Sequence, residues 1–136
     1  MKMNPYLTFN GTCEEAFKTY QKILGGKIEA MMPFEGTPSE AYVPAEWRKK
    51  IMHACLVFGD NKLMASDGQP DRSETMQGIS VALHPTEPAE ADRLFNALSE
   101  NGKVIMPLEE TFWAQKFGML VDRFGTPWMI NCSRPM

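Results

Sequence analysis

The first half of the chain switches between two hydrophobic periods, and each switch marks a structural element. Residues 5–9 alternate apolar and polar side chains, which predicts a short β-strand. Apolar side chains then recur at helical spacing from Ala16 to Leu24, which predicts an amphipathic helix. Thr12, with Glu15 three residues later, fits a capping box at the start of this helix, and Gly25-Gly26 fits its end.

The rest of this half predicts three more strands and a long loop. Residues 27–33 have the character of a strand. Residues 34–50 combine prolines with polar side chains, which is typical of a lid or a binding loop. Two apolar runs, 51–58 and 62–66, lie on either side of Gly59-Asp60-Asn61, whose turn chemistry predicts a hairpin.

The second half of the chain repeats the first. The hairpin motif Phe58-Gly59 returns as Phe124-Gly125, and internal similarity of this kind indicates duplicated modules. Two such modules would close over one shared cavity. The repeated elements are a strand at Ile79–Leu83, a helix between Glu87-Pro88 and Asn101-Gly102, a strand at 103–108, and a hairpin formed by 119–121 and 128–132.

These patterns predict an α+β fold of two βαβββ modules. We expect a single domain over residues 1–136, because a chain of this length fits one core or two half-domains that share one. Module one is expected at about 4–67, a polar linker at 68–77, and module two at about 78–133.

Composition and charge narrow the classes of partner. Hydrophobic residues make up 43% of the chain, and no apolar run approaches the roughly 18 residues that span a membrane. The formal charge of −3 and the lack of a dense basic patch argue against nucleic acid as a partner, and the cluster Arg48-Lys49-Lys50 fits a solvated loop. Three cysteines without paired spacing, and a start without a signal-peptide pattern, favour the reducing cytoplasm.

Three strings carry a family resemblance: YLTFNGTCEEAFKTYQKILGG, IMHACLVFGDNKLMASD and FWAQKFGMLVDRFGTPWMIN. They resemble the PhnB-like branch of the glyoxalase/bleomycin-resistance superfamily, also named the vicinal oxygen chelate fold. One departure is Arg123, where that branch often has proline. The resemblance implies curved mixed sheets around a cavity, a homodimer, and an unidentified small molecule as partner.

The same resemblance bears on metal binding. Metal-dependent members of the superfamily carry His, Glu or Gln ligands at one position on the first and last strand of each module. In this chain those positions fall at Pro5, Met64, Ile79 and Ile130. Proline and isoleucine have no donor atom, a thioether is a poor ligand for hard cations, and neighbouring residues do not restore the set. We therefore expect no metal and no cofactor, and glyoxalase-type or extradiol-dioxygenase chemistry is disfavoured.

Alternation along the strands predicts which side chains line the cavity. A two-residue turn at Asp60-Asn61 would pair Cys55 with Ser66. His53 would then share a face with Met64. Such an apolar, sulfur-rich lining suits a hydrophobic or aromatic molecule held by a few polar groups. The expected ligand-binding residues are Leu7, Phe9, His53, Met64, Ser66, Trp113, Trp128 and Ile130.

Three side chains are candidates for catalysis: His53, Cys55 and Cys132. His53 fits a general base or ligand anchor, because its charge changes near neutral pH, and it equally fits a strand-end histidine bonded to backbone. A nucleophilic thiol needs a base or a positive field that lowers its pKa, and His53 lies two residues from Cys55. Buried, unreactive cysteine is the alternative for both thiols.

Two tryptophans and an acidic group each allow two interpretations. Trp113 fits a stacking wall for an aromatic ligand or a packing residue at a dimer interface. Trp47 fits a residue that closes the cavity or one that anchors the loop. Asp67, Asp71 and Glu74 have a superficial calcium-loop spacing without the full ligand series, which favours a solvated linker.

We therefore expect a metal-independent protein that binds, and sequesters, a hydrophobic or aromatic compound. The alternative is an enzyme with an off-pattern site at His53, Cys55 or Cys132, so the sequence leaves open whether the protein is an enzyme. A third hypothesis is an interaction protein whose cavity is filled by core side chains. The methyltransferase activity that family labels mention has no support, because the chain lacks the Gly-rich strand–helix turn and the parallel sheet of such enzymes.

Overall fold

The computed structural model describes residues 1–70 and 74–134 of the chain. These residues form two compact units, Met1–Glu74 (unit 1) and Thr75–Met136 (unit 2). The division between the units falls inside the segment 68–77 that the sequence predicts as a linker. Each unit carries one α-helix and one four-stranded sheet.

Unit 1 is a βαβββ module with a mixed sheet. Its elements are β1 (Tyr6–Phe9), α1 (Cys13–Leu24), β2 (Lys27–Pro33), two short 3-10 helices (Pro38–Tyr42 and Ala45–Trp47), β3 (Ile51–Phe58) and β4 (Asn61–Asp67). The strands follow the order β1-β4-β3-β2. β1 and β4 are parallel, and the other neighbours are antiparallel.

Unit 2 repeats this arrangement. Its elements are β5 (Val81–Leu83), α2 (Pro88–Ser99), β6 (Lys103–Glu109), β7 (Ala114–Val121) and β8 (Pro127–Ser133), in the strand order β5-β8-β7-β6. The predicted α+β fold with two βαβββ modules is therefore confirmed. β5 starts later than predicted and leaves Ile79 outside the strand and 72% exposed. β7 starts earlier than predicted, because its first residues pair with the end of β8.

Helix α1 packs its apolar side against one face of the unit 1 sheet. Ala16, Phe17 and Tyr20 are fully buried, as the helical spacing predicts. The Phe9 ring meets the Phe17 ring edge-on, with 6.3 Å between the ring centroids. Leu7 lies two residues before Phe9 on the same side of β1, so both side chains belong to this helix-covered core.

The start of α1 differs from the predicted capping box. The Thr12 side chain makes no capping hydrogen bond. Asp67, at the end of β4, replaces it: its Oδ1 accepts hydrogen bonds from the backbone N–H groups of Gly11 and Cys13 at 2.9 and 3.0 Å. Its Oδ2 accepts a third from the Ile51 N–H at 2.8 Å. One carboxylate therefore joins the β1–α1 turn to β3 and β4.

The acidic group predicted as a solvated linker has a different arrangement. Asp67 belongs to β4 and is only 3% exposed, so the prediction is wrong for this residue. Glu74 is exposed, and Asp71 lies outside the described residues. Burial of the Asp67 carboxylate is tolerated because three backbone donors replace the water that it loses.

The β3–β4 hairpin turns at Gly59-Asp60, one residue earlier than predicted. As a result Cys55 lies opposite Met64 rather than Ser66, a register shift of two. Because side chains alternate with a period of two, this shift leaves every side chain on its predicted face. Cys55, Met64 and Ser66 share one face, and His53, two residues before Cys55, lies on it as well.

The segment 34–50 holds the two 3-10 helices and packs Phe34 and Val43 into the core. Trp47 donates its indole N–H to the Gly68 carbonyl at 2.9 Å. The Lys50 ammonium lies 5.8 Å from the centre of the Trp47 ring. Of the two interpretations of Trp47, these contacts favour an anchor that ties the segment to the end of β4.

Candidate functional site

The sheet of unit 1 has one face under α1 and an opposite face without a helix, here named open face 1. Along β4, Leu63 and Ala65 are buried on the helix side, whereas Met64 and Ser66 are half-buried on the other. The alternation follows from the period of two in a strand. Open face 1 includes Tyr6, His53, Cys55, Lys62, Met64 and Ser66.

The ligand residues predicted in unit 1 are divided between these two faces. His53, Met64 and Ser66 lie on open face 1. Leu7 and Phe9 lie under α1 and are 8% and 3% exposed. Their burial against the helix removes these two residues from the candidate site, because their side chains already form the core of unit 1.

Open face 1 contains one polar contact that the sequence did not indicate. The Tyr6 Oη lies 3.1 Å from His53 Nδ1, and the two rings stack with 5.8 Å between their centroids and 23° between their planes. Tyr6 is on β1 and His53 on β3, so the contact crosses β4. The Tyr6 hydroxyl donates to Nδ1 when that nitrogen carries no proton. The contact positions the imidazole on the open face.

Cys55 lies beside this pair, but its environment disfavours a nucleophilic thiolate. Burial raises the pKa of the Cys55 thiol, the Glu29 carboxylate raises it further, and the Lys62 ammonium opposes both. A raised pKa keeps the sulfur protonated at neutral pH, which is the opposite of what a nucleophile needs. Burial raises the pKa of the Cys13 thiol as well, and the Asp67 carboxylate raises it further.

Unit 2 likewise has a face under α2 and an opposite face without a helix, here named open face 2. Gly118 identifies the helix side, because a Cβ at this position would lie 2.7 Å from Cε2 of Phe95 in α2. Ile130 is opposite Gly118 in the β7–β8 ladder and therefore faces α2 as well. Trp128, Ile130 and Cys132 are all 0% exposed.

The orientation that the sequence predicts for Trp128, Ile130 and Cys132 is therefore corrected: all three belong to the core beneath α2. Loop length is the reason. The β7–β8 connection is the five-residue loop 122–126, whereas the β3–β4 turn has two residues. The two connections differ in length by three residues, an odd number, and side chains alternate between faces along a strand. Positions at the same distance from the two Phe-Gly motifs therefore lie on opposite faces. Met129, not Ile130, corresponds to Met64 on the open side.

Open face 2 includes two cross-strand pairs of β7 and β8, Met119 with Met129 and Phe117 with Asn131. The Trp113 ring, 45% exposed, meets the Phe117 ring edge-on at a centroid distance of 5.3 Å and an angle of 68°. Of the ligand residues predicted in unit 2, Trp113 is thus the one next to open face 2. Its neighbours are aromatic and thioether side chains.

Asn131 carries the one buried side-chain acceptor without a hydrogen-bond partner in the part of the chain that the structure describes, its Oδ1. Buried polar atoms in folded proteins are nearly always hydrogen-bonded. Neither Asn131 nor Tyr6 stands out as a site residue in the sequence. The missing information was the strand phase: Asn131 lies two residues after Met129, and Tyr6 is in register with Met64.

A groove of about 530 Å³ opens at the hairpin end of unit 1. None of the predicted ligand residues borders it, so it does not coincide with the site that the sequence predicts. Its lining mixes two ammonium groups, one carboxylate and a few apolar atoms. The residues are Lys2, Met3, Asn4, Val57, Gly59, Asp60 and Lys62.

Two further features concern metal and membrane. Within residues 1–70 and 74–134, no three side chains of His, Cys, Asp or Glu gather as metal ligands. No helix among the same residues is long and apolar enough to cross a membrane.

The family model of 3-demethylubiquinone-9 3-methyltransferase matches residues 1–131. The chain belongs to this family. A solved structure described both as this methyltransferase and as a PhnB protein shares the fold, so the PhnB-like resemblance that the three strings predict is confirmed. The family assignment agrees with the βαβββ order of both units.

Individual relatives support the same assignment. Protein YjdN of Escherichia coli K12 is 35% identical to this chain, over 96% of the chain and 95% of YjdN. The crystal structure of PA1353 from Pseudomonas aeruginosa is 52% identical, with a TM-score of 0.90 and 99% of each chain covered. A PhnB protein from Bacillus cereus shares the fold at 22% identity and a TM-score of 0.82, over 96% of this chain and 98% of its own.

Proposed function

We propose that this PhnB-like protein binds and sequesters a small hydrophobic or aromatic molecule without a metal ion, and that open face 2 is the main contact surface. The observation that carries the proposal is the edge-to-face pair of Trp113 and Phe117 beside the thioethers of Met119 and Met129. These side chains lie on the face that α2 does not cover.

The geometry of this pair suits a flat ligand. The Trp113 and Phe117 ring planes stand at 68°, so a ligand ring that stacks on one presents its edge to the other. The neighbouring thioethers are flexible and polarizable, and they adapt to different outlines. A half-exposed tryptophan also leaves apolar surface in water. Covering that surface with a ligand contributes roughly 25 cal/mol per Å² to the free energy of binding.

Open face 1, taken by itself, offers polar groups to a ligand at the Tyr6–His53 contact. With Nδ1 engaged by the tyrosine hydroxyl, the imidazole has one more ring nitrogen that can accept from or donate to a ligand. Ser66, half-buried on the same face, adds a hydroxyl.

The second candidate is an enzyme that uses His53 as a general base. The Tyr6 contact favours it in the tautomer whose Nδ1–H donates to the Tyr6 oxygen, because Nε2 then has a lone pair that can accept a proton. A thiol mechanism has less support, because the pKa of Cys55 is raised and Cys132 lies in the core beneath α2. We propose no methyl transfer despite the family's description. Each described sheet has a single parallel pair, unlike the parallel sheets that bind nucleotide-type cofactors.

We also propose that the protein is a homodimer. β6 is an edge strand of the unit 2 sheet, and its Val104, Ile105 and Met106 are 45%, 49% and 43% exposed. An apolar edge strand is a template for pairing with another chain and is usually covered. A second copy of this chain would cover it, in keeping with the dimers that are common in the superfamily.

The proposed binding function is tested with a thermal-shift screen of aromatic compounds, followed by titration of the best compound. A ligand that binds the folded state raises its melting temperature. We expect Trp113→Ala to weaken binding of that compound by about threefold to tenfold, because one face of the aromatic pair is lost. Tyr42→Ala is the matched control, since it removes a 78% exposed aromatic ring from a 3-10 helix of unit 1.

Three outcomes would count against the proposal. The first is equal binding by wild type and Trp113→Ala. The second is stoichiometric zinc, nickel or iron in the purified protein, together with loss of binding after chelation. The third is a turnover of the compound that His53→Ala abolishes, which would favour the enzyme.

A further inference from the structure

We infer that Arg134 is a positioning residue of the proposed binding surface. Its guanidinium holds residues 111–114, here named the aromatic turn, in the conformation that presents Trp113 to a ligand. The inference rests on the proposed binding function and adds to it the residue that keeps the main aromatic contact in place. Arg134 acts through Trp113 rather than by touching the ligand.

The aromatic turn joins β6 to β7 and carries two large apolar side chains, Phe112 and Trp113, at its tip. They are 89% and 45% exposed, and their rings meet edge-on with 4.8 Å between the centroids. Turn tips usually carry Gly, Asn, Asp or Ser, which suit the backbone of a tight turn. Because these rings continue the aromatic surface of Phe117, their exposure favours contact with a molecule outside the chain.

The backbone of the aromatic turn is closed by one backbone hydrogen bond. A closing pair in an antiparallel ladder can exchange two. Here the Thr111 N–H donates to the Ala114 carbonyl at 3.0 Å. The Ala114 N–H, however, donates to the Thr111 hydroxyl at 3.0 Å in place of the Thr111 carbonyl. The Thr111 carbonyl therefore needs a partner from outside the turn.

The backbone angles at the tip account for the missing bond. The turn types that best close a two-residue hairpin, I′ and II′, need a positive φ at one or both central residues. Among the residues that the structure describes, Asn101 is the only one other than glycine with a positive φ, so Phe112 and Trp113 have negative φ. The aromatic side chains at the tip are thus combined with a turn whose own closure is weak.

Arg134 supplies the bonds that the aromatic turn lacks. Its Nε and Nη2 donate to the Thr111 carbonyl at 3.2 and 2.8 Å, so two N–H groups of one planar guanidinium satisfy both lone pairs of that oxygen. Nη2 also donates to the Glu110 carboxylate at 2.8 Å. That ion pair contributes less, because the Glu110 side chain is 70% exposed. The conformation of the aromatic turn therefore depends chiefly on the Arg134–Thr111 bonds.

NMR relaxation tests the conformational part of the inference without any ligand. In wild type we expect backbone order parameters of about 0.85 at Phe112 and Trp113, the value of a rigid backbone, and below about 0.6 in Arg134→Gln. Arg134→Lys should give intermediate values, because one ammonium does not reproduce the planar fork of donors. Arg93→Gln is the matched control: Arg93 pairs with Glu90 on the surface of α2 in the same unit, so its loss should leave the aromatic turn rigid.

Titration with indole, a flat aromatic probe, tests the link to binding, and ligand-observed NMR detects even weak affinities. We expect Arg134→Gln to weaken indole binding about threefold, because apparent affinity falls with the fraction of molecules whose binding surface is correctly arranged. In a Trp113→Ala background the same substitution should weaken binding by less than about 1.5-fold, because the side chain that Arg134 positions is already absent. Glu110→Gln should weaken binding of indole by less than about twofold.

Four results would overturn the inference. An aromatic turn as rigid in Arg134→Gln as in wild type, or a loss of order throughout unit 2, means that the guanidinium does not act on the turn itself. An equal loss of indole binding with and without Trp113 means that Arg134 does not act through that ring. Unchanged binding despite a loosened turn means that the orientation of Trp113 does not limit binding. Failure of wild type to bind indole or any aromatic compound of the screen counts against the proposed function, and the inference falls with it.

Discussion

At Cys55, three neighbours decide the chemistry of one sulfur. Burial is the largest influence and raises the thiol pKa, and the Glu29 carboxylate acts in the same direction. The Lys62 ammonium acts against them. Because the thiolate is the reactive form, the two charged residues should control the reactivity of Cys55 in opposite directions.

The opposite effects of Glu29 and Lys62 on the Cys55 pKa predict opposite changes in the rate of Cys55 alkylation. At pH 8, below the raised pKa, Glu29→Gln should increase the rate of Cys55 alkylation by iodoacetamide about twofold, because losing a negative charge favours the thiolate. Lys62→Gln should decrease the rate, because it removes the positive charge that lowers the pKa. Peptide mass spectrometry distinguishes Cys55 from Cys13 and Cys132, which are buried as well. The reverse order of rates would contradict the electrostatic account.

The Tyr6–His53 contact depends on strand pairing, which the local sequence around either residue does not reveal. The alternation of β1 places Tyr6 on one face, but only the parallel pairing of β1 with β4 brings that face beside His53. The two residues are 47 positions apart in the chain. Local periodicity carries no information about which distant strands pair, so His53 could be named from the sequence and its partner could not.

At the scale of elements, Asp67 holds α1, β3 and β4 together. We expect Asp67→Asn to lower the free energy of unfolding by about 2–3 kcal/mol, measured by urea denaturation. The amide oxygen can still accept from Gly11 and Cys13, but the amide NH₂ would face the Ile51 N–H, donor against donor.

Asp60→Asn is the control for this substitution, because Asp60 lies in the exposed turn between β3 and β4. It should change stability by less than about 0.5 kcal/mol. An equal, small effect of both substitutions would mean that the Asp67 hydrogen bonds contribute little to the stability of unit 1.

The positions of the helices and strands were largely predictable from the sequence. The face of the sheet on which each strand side chain lies was not. Both helices carry their buried residues at helical spacing, and the β3–β4 hairpin falls on its turn residues, because these signals are local. The face of β8 depends on the length of the preceding loop, and the repeat motif inside that loop pointed to the wrong face. Likewise, the cap of α1 comes from Asp67, 54 residues from Cys13, so a local capping box was the wrong expectation.

At the scale of the whole molecule, the exposed edge strand β6 sets the expected oligomeric state. We predict that wild type sediments as a dimer at micromolar concentration and that Ile105→Lys sediments as a monomer. A lysine on an edge strand opposes pairing with a second strand. Tyr42→Lys is the control, since it adds the same charge at an exposed site of unit 1 outside the sheet.

Analytical ultracentrifugation measures both variants, and circular dichroism verifies that each is folded. A monomeric wild type would show that the protein does not form the proposed homodimer. A dimer that Ile105→Lys leaves intact would show that copies meet elsewhere, and that the apolar side chains of β6 need another explanation.

The connections 59–60 and 122–126 differ in length, and this difference affects any alignment that matches positions of one half to the other half or to a distant homologue. The Phe-Gly motif is the obvious reference point for such an alignment. The same count from the motif, however, leads to opposite faces of the sheet in the two halves. Six positions after the phenylalanine of the motif, unit 1 has a half-buried side chain on open face 1, and unit 2 has a buried side chain beneath α2. The motif therefore has a different structural context in each half. Substitutions chosen by aligning the two motifs would change an open-face side chain in unit 1 and a core side chain in unit 2.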